Sequence, residues 1–469
     1  MRSLLARACL LGLWLVSAPA LAQLDAPRSV PQAAASAPPE LPEVSDPMLT
    51  PIAPPARLLA SWRQAVELVR ARSTDLGIAR ARIAQAEGQT RLTRSGLLPQ
   101  LAAEGGVNRE LLLGHVSGTT AAAALSEVSV PDPATTWNAS LALNQPLVNP
   151  RAWYDMVTSA SAEKAAAVQA EDSERLAIAI LADTIVTVIT AERLAEVSRV
   201  SLRSNLSALD LTQRRARLGA ASAVDVLRAE QEVVSNRADV VQADETLRRS
   251  REALGIALGY PEDWGVTPEI KVDGLTADAQ ALCSPLASAE DRSDVRAARL
   301  NVEVAERTAK SSSYGYAPTL DLLSRLNYTT QEQTSNARPV QWSVGAVLTV
   351  PLYDGGRLSA ERYLNQADAD TVRLQLTETS RQARLQVIQA QRGIEVAVSN
   401  HEVSRNARAI AEESARLSRI AFMHGTGTSF DLVDSARRLR LAEIDLTIKE
   451  FEVVRARITA LLTLSNCKL

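Results

Sequence analysis

The chain carries one order of signals twice, and that repetition limits its architecture more than any other feature. Asp75 to Pro99 and Asp294 to Pro318 each span 24 positions. Arg80, Ala86, Glu87 and Leu101 in the first copy match Arg299, Ala305, Glu306 and Leu320 in the second. Further on, WNASLALNQPL from Trp137 matches WSVGAVLTVPL from Trp342, and Gly219…Asp225 matches Gly425…Asp431. Each half reads helix, strand, strand, long helix, tip, helix, so the fold must be assembled from two like units.

Proline and glycine set the lengths. Residues 151–258 and 352–469 contain no proline, and Gly219 and Gly425 interrupt them where a turn would fall. This spacing predicts helical hairpins. The expected long helices, Arg151–Leu218 and Arg357–His424, have 68 residues each, roughly 100 Å at 1.5 Å per residue. The helices after the tips, Ala223–Leu258 and Phe430–Leu464, are about half that length. So is the single helix expected over Ser61–Leu98, which Ser61 can cap and Pro99 ends. Two half-length helices stacked end to end would match one long helix and build an even cylinder wall. Val226, Val233, Val240, Leu247 and Leu254 form a seven-residue seam. Leu432, Leu439, Leu446, Val453 and Ala460 form its counterpart. Such a period implies left-handed supercoiling, in this architecture or in an ordinary two-helix coiled coil.

The four strand candidates alternate. Trp137, Ala139, Leu141 and Leu143 oppose Asn138, Ser140, Ala142 and Asn144, and Trp342, Val344, Ala346, Leu348 and Val350 oppose Ser343, Gly345, Val347 and Thr349. Leu320, Leu322, Leu326 and Tyr328 oppose Asp321, Arg325 and Asn327, while Leu101, Ala103 and Val107 oppose Glu104 and Asn108. Ten-residue segments of this kind suit a membrane β-barrel or a sandwich. Aromatic placement favours the barrel. Nine of the 12 Trp and Tyr residues after position 22 fall in 137–154 or 314–363, as in an aromatic girdle. Trp137, Trp153, Tyr154, Tyr328, Trp342 and Tyr353 are its candidates. Four strands cannot close a barrel, and open edges are not tolerated in lipid, so other copies of the chain must complete it.

The N-terminus reads as a secretory signal over residues 1–22. Arg2 and Arg7 precede or flank the apolar ACLLGLWLV, and Ala20-Leu21-Ala22 is a small-x-small cleavage site. Cys9 lacks the surroundings of a lipidation site, so no lipid anchor is expected. Residues 23–57 hold nine prolines and should form an extended arm. The net charge of −3 becomes −5 without Arg2 and Arg7, which argues against nucleic acid. Only Cys283 and Cys467 lie beyond the signal, with no CxxC and three histidines in all, so no metal, cofactor or enzymatic chemistry is expected.

SGLLPQL, LNQPLVNPRAW, LTVPLYDGGR and the tip motifs ARLGAASAVDVLRAEQ and FMHGTGTSFDLVDSARRL, taken in order, resemble the TolC-type outer-membrane channels of efflux pumps and type I secretion systems. The resemblance covers Ser61 to Leu464. It departs at PLVNPRAW, which replaces a Gly-Gly turn, at the long Pro99–Trp137 connection, and in the short C-terminal end. It implies a mixed α+β membrane protein: a homotrimer whose twelve-stranded β-barrel takes four strands per protomer and continues as a periplasmic α-helical coiled-coil barrel with an equatorial domain. The corresponding organisation is a first repeat over 58–260 with strands about 100–112 and 136–146 and a tip at 214–223, an equatorial linker over 261–291, and a second repeat over 292–469 with strands about 319–329 and 340–351 and a tip at 420–430. The implied role is a passive exit duct, serving a periplasmic adaptor and an inner-membrane RND or ABC transporter. Small-molecule efflux is favoured; type I protein secretion is the alternative, and a soluble periplasmic adaptor or scaffold is the alternative of another class.

The tips carry the candidate functional residues. Gly219 and Gly425 can turn between antiparallel helices, and Ser222 and Thr428 can each cap the next helix. With Ala220 and Thr426 they form the expected adaptor-docking surface. By resemblance, Asp431, Asp434 and Asp225 line the pore constriction, where rings of like charge attract cations; a solvated early-helix acid is the plainer reading of Asp434. Arg228 against Asp434 is the expected latch between hairpins. Gly427 stands where related channels can carry a basic latch residue, and His424 is expected to be a solvated turn residue. Cys283 and Cys467 fall at matching levels and could pair in an oxidising compartment, which the sequence leaves open.

Overall fold

The computed structural model describes residues 44–109, 135–270, 272–330 and 339–467. The signal, the arm over 23–43 and residues 110–112 of the first expected strand lie outside them. In chain order the elements are β1 (Arg57–Leu59), α1 (Trp62–Arg72), α2 (Thr74–Ser95), β2 (Gln100–Arg109), β3 (Thr135–Val148), α3 (Pro150–Arg217), α4 (Ala223–Ala257), β4 (Trp264–Val266), α5 (Val272–Leu282), β5 (Cys283–Pro285), α6 (Ser293–Ser313), β6 (Thr319–Thr329), β7 (Val340–Thr349), α7 (Arg357–Met423), α8 (Ser429–Thr463) and β8 (Ser465–Cys467). Among the described residues, no helix is long and apolar enough to cross a membrane.

Four antiparallel strands form one sheet in the order β2-β3-β6-β7. Register sorts the whole sheet into two faces. Leu101 sits opposite Leu143, Leu141 opposite Leu326, and Trp342 opposite Leu326, all on one face. Glu104 opposite Ser140, Ser140 opposite Asn327, and Arg325 opposite Ser343 occupy the other. Ser324 is the hydroxyl misplaced on the apolar side, and Trp342 Nε1 donates to it at 3.0 Å. The girdle candidates Trp137, Tyr328 and Trp342 stay exposed on that same apolar face, Trp342 by 74%.

Below the sheet, α3 is flanked by α2, then by α4, along one side; α6 and α8 lie between α3 and α7. The α3 helix has 68 residues and α7 has 67, while α4 and α8 have 35 each. The described unit is therefore a palisade with α7 at one edge and α2 and α4 at the other. Its main hydrophobic cluster sits midway along α3, where Ile178, Leu181 and Ile185 meet Trp62, Leu254 and Leu275.

Two expectations need correcting, and another gains detail. The helix over Ser61–Leu98 breaks at Ser73, whose backbone leaves helical geometry and whose hydroxyl caps α2 by accepting from Leu76 N. The break is also a place of close packing: a Cβ on Gly259 would come within 2.8 Å of the Arg72 carbonyl oxygen, and Arg72 stacks on Tyr260. The arm does not stay featureless where it is described. It makes a short 3₁₀ turn at Pro47–Leu49, lays Leu49 and Ile52 against α3 and α4, and ends in β1, which pairs in parallel with β4. The seven-residue seam of α4 is buried from Val233 to Leu254, as expected. On α8 the seam is buried at Leu432 as expected, but beyond it the buried line is Arg440, Thr447 and Val454, one residue on from the expected Leu439, Leu446 and Val453.

Cys283 and Cys467 are joined by a disulfide across the β5–β8 pair. It ties the segment between the halves to the end of α8 and lies within the main cluster. The bond closes a loop with a sequence separation of 184, for which chain-entropy arguments give roughly 5 kcal/mol. Cys283→Ser/Cys467→Ser should cost roughly 2–5 kcal/mol in chemical unfolding. Unchanged unfolding, with identical gel mobility before and after reductant, would exclude the bond.

Candidate functional site at the helical tips

The two tips are built alike. Each long helix ends in a glycine of positive φ, Gly219 at 72° and Gly425 at 76°. There the Ala220 N–H returns to the Arg215 carbonyl at 2.8 Å and the Thr426 N–H to the Ala421 carbonyl at 3.0 Å, closing the last turn in a Schellman motif. A side chain at either glycine would meet open space but a strained backbone. Gly427 is different: a Cβ there would lie 2.9 Å from Phe422 N. The packed turn therefore excludes a latch side chain at that position.

Each tip's second helix opens with a capping box. Ser222 Oγ accepts from Asp225 N at 3.2 Å, and Asp225 Oδ2 accepts from Ser222 N at 2.9 Å. Thr428 Oγ1 accepts from Asp431 N at 3.1 Å, and Asp431 Oδ2 accepts from Thr428 Oγ1 at 2.6 Å. Asp431 and Asp225 thus each use an oxygen to secure their own helix start. Asp434 is held by Arg438 at 2.7 Å and Arg437 at 3.3 Å, both on its own helix.

The expected Arg228–Asp434 pairing is not made within the chain. Arg228 lies 3.8 Å from Asp225 on its own helix and over the Phe430 ring. Other groups couple the hairpins. Arg215 donates to the Phe422 carbonyl, and its guanidinium lies 4.2 Å from the centre of that ring. Ser429 donates to Asp225. Further along the helices, away from the tips, Arg440 meets Glu232 at 2.8 Å and Asp239 at 3.5 Å. Arg440 and Glu232 are nearly buried, at 8% and 12% side-chain exposure. One signal for this pair is present in the sequence: an arginine in seven-residue step with Thr447 and Val454. Arg215 and Ser429 carry none, since their partners depend on how the helices rotate. His424, at the end of α7, has no side-chain partner among the described residues.

Asp225 has its pKa lowered, first by the bond from Ser429 and then by the bonds from Ser222, with Arg228 nearby. A lowered carboxylate stabilises the folded tip fully above its ordinary value of 3.8, and that contribution is lost as pH falls through the lower folded value. Amide protection at the tip, corrected for the intrinsic pH dependence of exchange, should therefore be flat from neutral pH down to that range and fall below it; Asp225→Asn should remove the inflection. For the deeper pair, Glu232→Ala should cost roughly 3–5 kcal/mol by leaving a buried guanidinium poorly matched, whereas Glu232→Leu/Arg440→Met should lie near neutral. Equal costs in the two variants would show that the pair is not a buried one.

Compared with known proteins, residues 65–260 and 286–464 match the family model described as outer membrane efflux protein. Nodulation protein T of Rhizobium leguminosarum bv. viciae is 24% identical over 294 residues, which is 61% of this chain and 61% of that protein. The chain thus spans about three-fifths of the length of that relative. Outer membrane protein TolC of Vibrio cholerae is 23% identical over 387 residues, 81% of this chain and 84% of TolC. Among solved structures, CusC superposes with a TM-score of 0.73 at 17% identity, covering 90% of this chain and 99% of CusC.

Proposed function

The chain belongs to the outer membrane efflux protein family, whose members are channels rather than enzymes, and from that premise we propose that three copies close into a passive duct through the outer membrane. The carrying observation is the sheet. One of its faces is mainly apolar and the other mainly polar, and its outer strands β2 and β7 are open edges among the described residues. Lipid can cover the first face and water the second, but nothing in lipid can satisfy an open edge. Joining β7 of one copy to β2 of the next, three times, gives twelve strands and no edge.

The helices support the same closure. The edge helix α4 exposes Leu227, Val234 and Val241 in seven-residue step, at 63%, 61% and 55%. The opposite edge helix α7 exposes Val396, Val403, Ile410 and Leu417, at 51–73%. Each seam has the period that another helix would fill. A head-to-tail contact of this type must close on itself, and a threefold ring does so.

In this reading the tips are the far end of the duct. Gly219, Ala220, Ser222, Gly425, Thr426 and Thr428 present its surface to a periplasmic adaptor, which couples it to an inner-membrane RND or ABC transporter. Asp431 and Asp434 line the narrowing, with Arg437 and Arg438 moderating the charge of Asp434. Arg215–Phe422 and Ser429–Asp225 take the place of an Arg228 latch in keeping the hairpins together. Small-molecule efflux is the preferred cargo, in keeping with the family's description.

Detergent-extracted protein should have the mass of three chains; a monodisperse monomer that keeps its β-sheet signal would refute the ring. In planar bilayers, Asp431→Asn/Asp434→Asn should raise conductance and reduce cation preference. Unaltered conductance, selectivity and cation block would remove both residues from the gate. Gly425→Trp should preserve the trimer yet abolish transport, and continued transport would place docking elsewhere.

A further inference from the structure

The junction between sheet and helices carries charge that the chain does not neutralise. Three cations stand within two turns of a helix end at the sheet: Arg94 at the end of α2, Lys310 at the end of α6, and Arg362 at the start of α7. All three are exposed, and none has an acidic partner among the described residues. The carboxylates at this level are already engaged. Asp155 accepts from Ser311 and faces Arg151. Asp354 accepts from the N–H groups of Gly356 and Leu358, closing the start of α7. Glu361 holds Arg151 and Arg357, and Glu306 holds Arg373.

Lys310 and Arg362 line one open groove between α6 and α7, whose acids Glu306 and Asp370 are both bound by Arg373. The groove is left positive. Amphipathic rings occur at the same ends of these elements: Lys310 Nζ lies 5.7 Å from the centre of the Tyr154 ring, and Trp153 near the start of α3, Tyr316 just after α6, and Tyr353 and Tyr363 around the start of α7 are 46%, 45%, 90% and 77% exposed. Unpaired cations beside exposed Trp and Tyr, at the end of a two-faced sheet, fit one environment in particular. That is the headgroup layer of a bilayer, where the ring bodies sit against acyl chains and the cations against phosphate.

We propose that Arg94, Lys310 and Arg362 form a docking surface for anionic phospholipid headgroups, phosphatidylglycerol-like in chemistry, in the leaflet nearest the helices. The proposal rests on the barrel reading above. Each cation near an anionic leaflet contributes roughly fivefold in local lipid occupancy, and the effect is screened by salt. The chain as a whole is acidic, at −3, so its net charge does not supply this attraction; the exposed cations at the sheet ends of α2, α6 and α7 do.

The test uses full-length protein in phosphatidylcholine vesicles doped with spin-labelled phosphatidylglycerol or spin-labelled phosphatidylcholine. The motionally restricted signal reports lipid at the protein surface. Wild-type protein should prefer phosphatidylglycerol several-fold at low salt and lose the preference at high salt. Arg94→Gln/Lys310→Gln/Arg362→Gln should bring the ratio to about one, with the trimer mass kept. Equal preference in wild type and variant would overturn the proposal, as would loss of the trimer in the variant, which would assign these cations to contacts between copies. A restricted signal without lipid preference removes the headgroup site alone. No restricted signal for either lipid removes the barrel reading and this proposal together.

Discussion

The outer edges of β2 and β7 present backbone N–H and C=O groups that no other described strand of the chain reaches, and the rest of the design depends on how those groups are satisfied. An edge in water can be blunted with charge or twist; an edge between acyl chains cannot. Once the edges must be met by another copy, the helices below have to keep the spacing of the strands above. The palisade does this by continuing every strand into a helix and by filling the remaining length of α3 and α7 with α4 and α8. The apolar steps exposed along α4 and α7 then occur at the same two borders as the open strands. In the proposed ring, sheet and helices therefore meet the same neighbour.

Much of this is legible in the sequence because punctuation is local. Proline-free runs mark the long helices to within a residue, and glycine, then Ser or Thr, then Asp marks both tips. These signals act over one turn of chain and need no knowledge of neighbours. The alternation of the strands is equally plain. Ser324 interrupts it in sequence, and only the register, which brings the Trp342 indole to its hydroxyl, accounts for the interruption. Rotation and crossing are not legible in this way. The break at Ser73 has a local cap, but the segment almost two hundred residues away that packs against it at Gly259 cannot be read from the chain. The shift of the α8 seam arises because that helix packs against α7 on one side and α3 on the other. Its apolar positions are shared between two partners, and polar residues such as Arg440 and Thr447 end up enclosed.

The same limit governs the tips. Types of residue are readable there, but pairs are not. An acid three residues into a helix can cap its own backbone or reach a neighbour, and Asp225 does both while Asp431 does the first. Arg228 has equivalent choices: it faces Asp225 on its own helix and lies over the Phe430 ring of α8, and it does not take the expected Asp434. The contacts that do cross between hairpins use a ring, a carbonyl and a hydroxyl, chemistry too common in sequence to stand out.

The β5–β8 clasp gives α8 two unlike ends. At one end the helix runs directly into a covalent anchor enclosed by apolar packing. At the other it is held, with no covalent tie, by the polar contacts of its cap and by the packing of Ser429, Leu432 and Ser435. Mechanically this is a cantilever, fixed at its root and free to deflect where it is farthest from the support. A beam of that kind converts a slight loosening at the free end into a wide lateral sweep while the root stays still. In the duct proposed above, such a helix would let the opening at the tips change its width while the wall at the root keeps its perimeter.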